Sequence, residues 1–289
     1  MTETLRRVGL VGGSGLYTLP GLTNTSEVDL ATPFGDPSDS YVTGELSGVP
    51  VAFLARHGRG HRILPTEINY RANIWGFKTL GCDALISASA CGSMKEAYKP
   101  TDIVLPDQFV DRTTSRVSSF FGGGCVAHVS LAHPVCPSLL DLLERAGRAE
   151  GATVHRGGVY LCMEGPQFSS RAESFLYRSW GIDVIGMTNA QEAKLAREAE
   201  LCYATVNLVT DYDCWHEAEE AVTVDAVLAV LKQNAEMANR ILITAVQAVD
   251  AARGCGCRDA LRYALLTRPE DVPAETRERL ALLVERYWG

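Results

Sequence analysis

The stretch that decides the fold is IDVIGMTNAQEAKLAREAELCYATVNLVTDYDCW, residues 182–215. Its first six residues form a short apolar run that reads as a strand. The next twelve carry apolar residues at helical spacing, and "CYATVNLV" is again apolar and rich in β-branched and aromatic types, as a buried strand is. Working outward, the same alternation recurs. Toward the N-terminus, "RVGLVGG", "VPVAFLAR", "DALISASACGS", "TDIVLPDQFV" and "HRGGVYLCMEG" read as strands, with helical patterns in "PTEINYRANIWGFKTLG" and "SSRAESFLYRSWG". Alternating strands and helices predict an α/β fold, a mostly parallel or mixed sheet covered by helices. Two helices open on capping patterns, Ser170 with Glu173 and Asn189 with Glu192. From Thr223 to about Ala252 the apolar positions predict one long amphipathic helix, and "PAETRERLALLVERYWG" repeats that pattern at the C-terminus. No linker or repeat divides the chain, so a single domain is expected, residues 1–252, with a helical appendage over 253–289.

Composition narrows the function. The chain has 289 residues, 46% of them hydrophobic and 21% charged, with a formal net charge of −8. Such a balance disfavours a nucleic-acid partner or an anionic membrane surface, while leaving room for a local anion pocket. The N-terminal "MTETLRRVGLVGG" makes a poor secretory signal and no apolar run is long enough to cross a bilayer, which predicts a cytoplasmic protein. Nine cysteines lack zinc-ligand spacing, and Cys82, Cys91, Cys162 and Cys202 stand in apolar surroundings that favour buried reduced thiols. Cys255 and Cys257, in "GCGC", read either as a strained disulfide or as two free thiols in a loop.

Several candidate strands end in anion-compatible groups. "GLVGGSGLY" places glycines and Ser14 after the first strand, without the dinucleotide or nucleotide-phosphate fingerprint. "ARHGRGH" places Arg56 and His57 after another, and Arg56 offers a fork of donors suited to phosphate. "LISASACGS" adds Ser87, Ser89 and Ser93. Open α/β sheets bind ligands beyond the carboxyl ends of their strands, so the convergence points to a site. In "MEGPQFSSRAE", Phe168 is suited to stack on a planar heterocycle and Glu164 to hold sugar hydroxyls, the alternative being a Phe168 tucked into the core. "TDYDCW" sets Asp211 and Asp213 one residue apart; continued strand alternation would point both the same way, about 6 to 7 Å apart.

Together, "GGSGLY", "TPFGDPSD", "ARHGRGH", "NYRANIW", "ACGS", "DQFVDRT", "EGPQFSSRAES" and "TDYDCW" resemble the trimeric purine nucleoside phosphorylase superfamily, and within it the branch acting on 5'-methylthioadenosine. The resemblance runs from about Val8 to Ile243. It implies a central mixed, partly barrel-like sheet surrounded by helices, a homotrimer or dimer of trimers, and phosphorolysis of a nucleoside to a purine and a sugar 1-phosphate. Inorganic phosphate is then a co-substrate, and no metal or organic cofactor is required. Carried over by position, the phosphate site comprises Ser14, Arg56, His57, Ser89 and Thr188. The nucleoside site takes Ala90, Phe168 against the base, Met187 under the ribose, and Val224, Val227 and Leu228 at the 5' end, with His128 reaching in from a neighbouring subunit. Asp211 is expected to donate to purine N7 and an ionised Asp213 to accept from the exocyclic amine, which selects 6-aminopurines. Where this branch commonly has Asn, the chain has Gly186, as oxopurine-directed members often do. Heat-stable relatives suggest bridges at Cys255 with Cys257 and Cys136 with Cys202. A broader adenosine or purine nucleoside phosphorylase, and a non-catalytic nucleoside-binding protein, remain as alternatives.

Overall fold

A computed structural model describes residues 7–216, 224–249 and 254–288, with side chains undescribed at 224–229. Eleven strands form one mixed sheet. At its centre, β1 (Val8–Gly12) lies parallel between β4 (Val49–Ala55) and β5 (Ala84–Ser93). On one side the sheet continues antiparallel through β3 (Tyr41–Leu46) to β2 (Leu22–Val28). On the other it forks at β5. One branch runs to β10 (Val184–Gly186), β9 (Val159–Cys162) and β7 (Gln108–Asp111); the other runs to β11 (Cys202–Asp211), β6 (Ile103–Leu105) and β8 (Val154–Arg156). The mixed sheet with helices around it is the architecture expected from sequence.

Two expected strands divide. "TDIVLPDQFV" breaks at Pro106 and Asp107 into β6 and β7, and "HRGGVYLCMEG" breaks at Gly157 and Gly158, whose φ values of 83° and 111° lie where side chains are strained, into β8 and β9. In both cases the halves join different branches of the fork.

The central strands are buried on both faces because helices cover each. Val8, Leu10, Ile86, Ala88, Ala204 and Val206 pack toward α2 (Pro137–Ala149) and α5 (Val224–Gln247), meeting Leu139, Leu143, Ile241 and Val246. Val11, Leu85 and Tyr203 alternate to the other face. There they meet Ile74 and Phe77 of α1 (Tyr70–Thr79), Ala193 and Leu195 of α4 (Asn189–Glu198), and Leu280 and Leu283 of α6 (Ala274–Trp288). The C-terminal segment thus packs on the α1/α4 face, fixed at Glu200, which accepts from the Leu261 amide at 2.9 Å and from Tyr287 Oη at 2.5 Å.

The Ser170 and Glu173 capping box forms at the start of α3 (Arg171–Ser179). The other pattern does not. Thr188 is the N-cap of α4 and makes no side-chain cap bond, while Asn189 and Glu192 turn into the buried interior. All nine cysteines are free thiols, so the suggested bridges are absent. The Cys202 sulfur lies 3.2 Å from that of Cys255 and within 4.8 Å of those of Cys136 and Cys257.

Candidate active site

Strand register builds one end of the site. Gly12 of β1 pairs with Ala55 of β4 and with Ala88 of β5, so the residues that follow, Ser14, Arg56 and Ser89, emerge side by side. The Arg56 amide donates to Gly12 O at 2.9 Å and the Gly13 amide to Ala88 O at 3.0 Å, locking these ends together. A Cβ on Gly13 would fall 2.6 Å from Arg56 Nη1 and 2.8 Å from Ala88 O, so glycine is required by this close approach.

Arg56 is 1% exposed. It donates through Nε to Glu192 Oε1 and through Nη2 to Ser87 Oγ, both at 2.5 Å. Burial opposes its charge, but the adjacent Glu192 carboxylate outweighs that and raises the Arg56 pKa above its ordinary value. Glu192 also accepts from Tyr203 Oη at 2.9 Å and from Asn189 Nδ2 at 3.2 Å. Asn189 Nδ2 lies a further 3.2 Å from Ser89 Oγ, which is 3.4 Å from Thr188 Oγ1. Because Thr188 caps α4 without using its side chain, its hydroxyl and the positive end of the helix face the same space, a combination suited to an anion.

His57 is held neutral. Burial, and then the Arg56 charge, lower its pKa to about 4. Its Nδ1 lies 2.8 Å from Ile63 O, and since a carbonyl only accepts, Nδ1 carries the proton and Nε2 is left as an acceptor. His61 stacks on it with centroids 4.4 Å apart.

The other end of the site lies where β11 stops. Asp211 pairs with Gly92 across a bulge that follows Val209. Asp213 stands in a short helical turn (Asp213–Trp215) with φ 52°, so a reversal of the chain, not strand alternation, brings the two carboxyls together. Asp211 accepts from the Asp213 amide at 2.8 Å and from Thr210 Oγ1 at 2.6 Å. Burial, and next the Asp211 charge, push the Asp213 carboxyl above its ordinary pKa, although Ser174 partly opposes the rise. Asp211 is therefore the hydrogen-bonded acceptor of the pair, and Asp213 is the carboxyl driven toward protonation. Gly92 forms the floor, since a Cβ there would lie 3.0 Å from Asp211 Oδ1.

Between the two ends is a cavity of about 350 Å³. Ser14, Arg56, His57, Ser89 and Thr188 line one part, Asp211 and Asp213 another, and Ala90, Met187 and Phe168 the walls. Phe168 is 81% exposed, an aromatic face at the mouth rather than a core residue. His128 is exposed and does not line the cavity of its own chain; its amide bonds Ala264 O. The side chains of Val224, Val227 and Leu228 lie outside the described residues, and Leu231, one turn further along α5, contributes to the wall.

Several contributors escaped the sequence reading. Met163 and Thr210 line the cavity, and Glu192 holds Arg56. Arg116 is buried and donates to the carbonyls of Met187 and Glu164 and to Gln191 Oε1, fixing the Met187 and Thr188 segment. Glu164, expected at sugar hydroxyls, instead accepts from the amides of Thr114 and Ser115 and from Arg116 Nε. These contacts hold its pKa low against the burial that would raise it. Gly186 also acquires a reason: a Cβ there would fall 2.1 Å from the hydroxyl of buried Tyr160. An Asn at this position requires a different partner on β9.

The cavity therefore combines an anion-suited end, a carboxyl pair about a cavity floor and an aromatic mouth. Similarity to known proteins agrees with that composition. The Phosphorylase superfamily model matches residues 7–247. The S-methyl-5'-thioadenosine phosphorylase of Koribacter versatilis is 58% identical over 282 residues, covering 98% of this chain and 97% of the relative. That of Geobacter sulfurreducens is 57% identical, covering 97% of this chain and 98% of its own length. A crystal structure of methylthioadenosine phosphorylase from an antarctic soil metagenomic library superposes with a TM-score of 0.92 at 50% identity, covering 96% of this chain and 98% of that one. The methylthioadenosine phosphorylase of Schistosoma mansoni in complex with adenine superposes at 0.81 and 38% identity, over 84% of this chain and 91% of that one. With the family model spanning most of its length and relatives this similar, the chain belongs to the Phosphorylase superfamily.

Proposed function

We propose that the chain cleaves the glycosidic bond of 5'-methylthioadenosine with inorganic phosphate, releasing adenine and 5-methylthioribose 1-phosphate. The observation that carries this reading is one cavity of about 350 Å³ lined both by anion-suited groups and by two carboxyls. Relatives more than half identical over nearly their full length bear the name of this activity.

A phosphate oxygen attacks the anomeric carbon, the bond to N9 breaks, and its electron pair passes to the purine. Arg56, Ser89, Thr188 and Ser14 hold the phosphate. The Arg56 charge is already balanced by Glu192, so phosphate is oriented without being locked into a full ion pair and keeps its nucleophilicity. Neutral His57 offers an acceptor for the hydroxyl of monohydrogen phosphate.

Charge accumulating on the leaving purine is best met by a proton at N7. A carboxyl of ordinary pKa is protonated about one time in a thousand at pH 7, a penalty of roughly 4 kcal/mol that partial burial and a neighbouring carboxylate reduce. Burial and the Asp211 charge raise the Asp213 carboxyl, so Asp213 holds a proton more readily than an ordinary carboxyl does. An exocyclic amine engaging Asp213 stabilises its anion and shifts the proton to Asp211, the donor to N7. A 6-oxo group offers no donor to Asp213 and leaves the proton misplaced. Phe168 stacks on the base, Ala90 and Met187 flank the sugar, and the methylthio group is the part that the family resemblance assigns to positions 224, 227 and 228. The functional assembly in this reading is a homotrimer, or a dimer of trimers, in the cytoplasm, with His128 completing a neighbour's site, and neither metal nor organic cofactor takes part in the chemistry.

Release of free base from methylthioadenosine, adenosine, methylthioinosine and inosine, each with and without phosphate, tests the proposal. Phosphate-dependent release of adenine, fastest from methylthioadenosine, is the expected result. Nucleoside affinity without products would assign a binding protein, and efficient inosine cleavage a broader phosphorylase.

A further inference from the structure

Four cysteines that are far apart in the chain meet in the fold. Cys136 precedes α2, Cys202 opens β11, and Cys255 and Cys257 lie in the segment leading to the C-terminal helix. Their four sulfurs lie within 4.8 Å of one another, with Cys202 and Cys255 at 3.2 Å. The sequence hides this convergence, because only the last two ligands are close in the chain.

We propose that Cys136, Cys202, Cys255 and Cys257 form a tetrathiolate site for one Zn²⁺, which staples the C-terminal segment to the end of the sheet. Four sulfurs around zinc at about 2.3 Å stand roughly 3.8 Å apart, so the cluster closes on a single ion through shifts of up to about 1 Å, the widest pairs drawing in and the Cys202 and Cys255 pair at 3.2 Å opening. Packing alone does not demand the arrangement. Cysteine serves as a small apolar residue elsewhere in this core, at Cys82, Cys91, Cys125 and Cys162, and none of those joins such a cluster among the described residues. A disulfide uses two sulfurs, whereas here each of four is near the other three. An all-sulfur tetrahedral donor set selects zinc or iron, and the compact spacing leaves room for one ion and not for a cluster carrying its own sulfides. Binding releases the four thiol protons to solvent and leaves the site with two net negative charges.

The surroundings are already arranged to hold the ligands. Cys136 is fully buried and Cys202 is 9% exposed. The Cys136 amide donates to Tyr203 O at 2.8 Å and the Cys202 amide to Asp83 O at 3.0 Å. Asp83 in turn pairs with Arg258, the residue after Cys257, at 3.1 Å. The site is also remote from the cavity: β11 has Cys202 at one end and Asp211 at the other, and its ten residues put them roughly 30 Å apart. The proposal therefore does not rest on the reaction assigned to the cavity.

Metal content, thiol titration and one variant test it. Protein purified without chelator under reducing conditions and supplied with zinc should carry one zinc per chain by mass spectrometry. Replacement by Co²⁺ should give thiolate-to-cobalt charge-transfer bands and the intense visible bands of tetrahedral cobalt. All nine cysteines should titrate once the protein is denatured in chelator without reductant. The double variant Cys255→Ser, Cys257→Ser should lose the zinc and melt at lower temperature, yet retain kcat/KM at moderate temperature. Absence of zinc after reconstitution, or a non-reduced titration of five or seven thiols in place of nine, would overturn the site in favour of disulfides. A double variant that still holds a full equivalent of zinc would overturn it as well, and should that variant not fold, the zinc count and cobalt spectrum of the unaltered chain decide.

Discussion

Replacing Asp213 by Asn tests the carboxyl pair most directly, because the change is nearly isosteric and alters one hydrogen-bonding property. Asp213 lies beside Asp211 and Ser174 above the Gly92 floor, and its carboxyl is raised by burial. As an anion it accepts a charge-assisted hydrogen bond from an exocyclic amine, worth about 1.5 to 3 kcal/mol. Asn loses that bond in part and gains a donor for a 6-oxo group, worth about 1 kcal/mol. Because the Asn oxygen keeps a neutral bond of about 1 kcal/mol to the amine, the preference for a 6-amino over a 6-oxo purine should fall by roughly 1.5 to 3 kcal/mol, or about 10- to 150-fold. The assay is kcat/KM for methylthioadenosine and methylthioinosine at saturating phosphate. An equal loss on both substrates, leaving their ratio unmoved, would refute the role of Asp213 in selecting the base. Stability supplies the control. A carboxyl raised on folding adds most to stability below its unfolded pKa near 3.9 and loses that contribution as pH rises through the folded value. At neutral pH the Asn variant should be no less stable than the parent in urea, so a loss of activity there is not a loss of fold.

Glu192→Gln should cost about 3 to 5 kcal/mol in urea unfolding, because one partner of a buried ion pair is removed while Arg56 stays; the KM for phosphate should rise more than the KM for nucleoside. His57 gives a pH signature: with its pKa lowered from 6.5 to about 4, its neutral form adds stability above pH 6.5 that is lost as pH falls toward 4, about 3 kcal/mol in all. In His57→Gln the stability profile should be flatter across that interval, as followed by urea midpoints at each pH. Gly186→Ala should destabilise by at least the 1 to 3 kcal/mol of about one overpacked methyl group, and Tyr160→Phe should recover part of it by removing the hydroxyl that the new Cβ meets. A Gly186→Ala chain that melts with the parent would refute that contact.

The alternation of strand and helix around residues 182–215 was legible because buried strands and amphipathic helices leave different periods in the chain, and the phosphorylase motifs marked the residues now found around one cavity. Ser170 and Glu173 likewise acted locally, as a capping box formed within one turn. What sequence could not supply was long-range pairing. Asn189 and Glu192 carry the same capping pattern, yet Arg56, 136 residues away, offers Glu192 a buried countercharge that an exposed cap does not, and the pattern is overridden. The same holds for Arg116 on the Met187 carbonyl and for Gly186 against Tyr160, contacts between segments far apart in sequence that the β10, β9 and β7 branch of the sheet brings together. Asp211 and Asp213 were read as facing together for the wrong reason, since a reversal after the strand rather than its pleat joins them. Local order is written in nearest neighbours, whereas ion pairs, sulfur clusters and shared protons depend on distances that exist only once the chain has closed on itself.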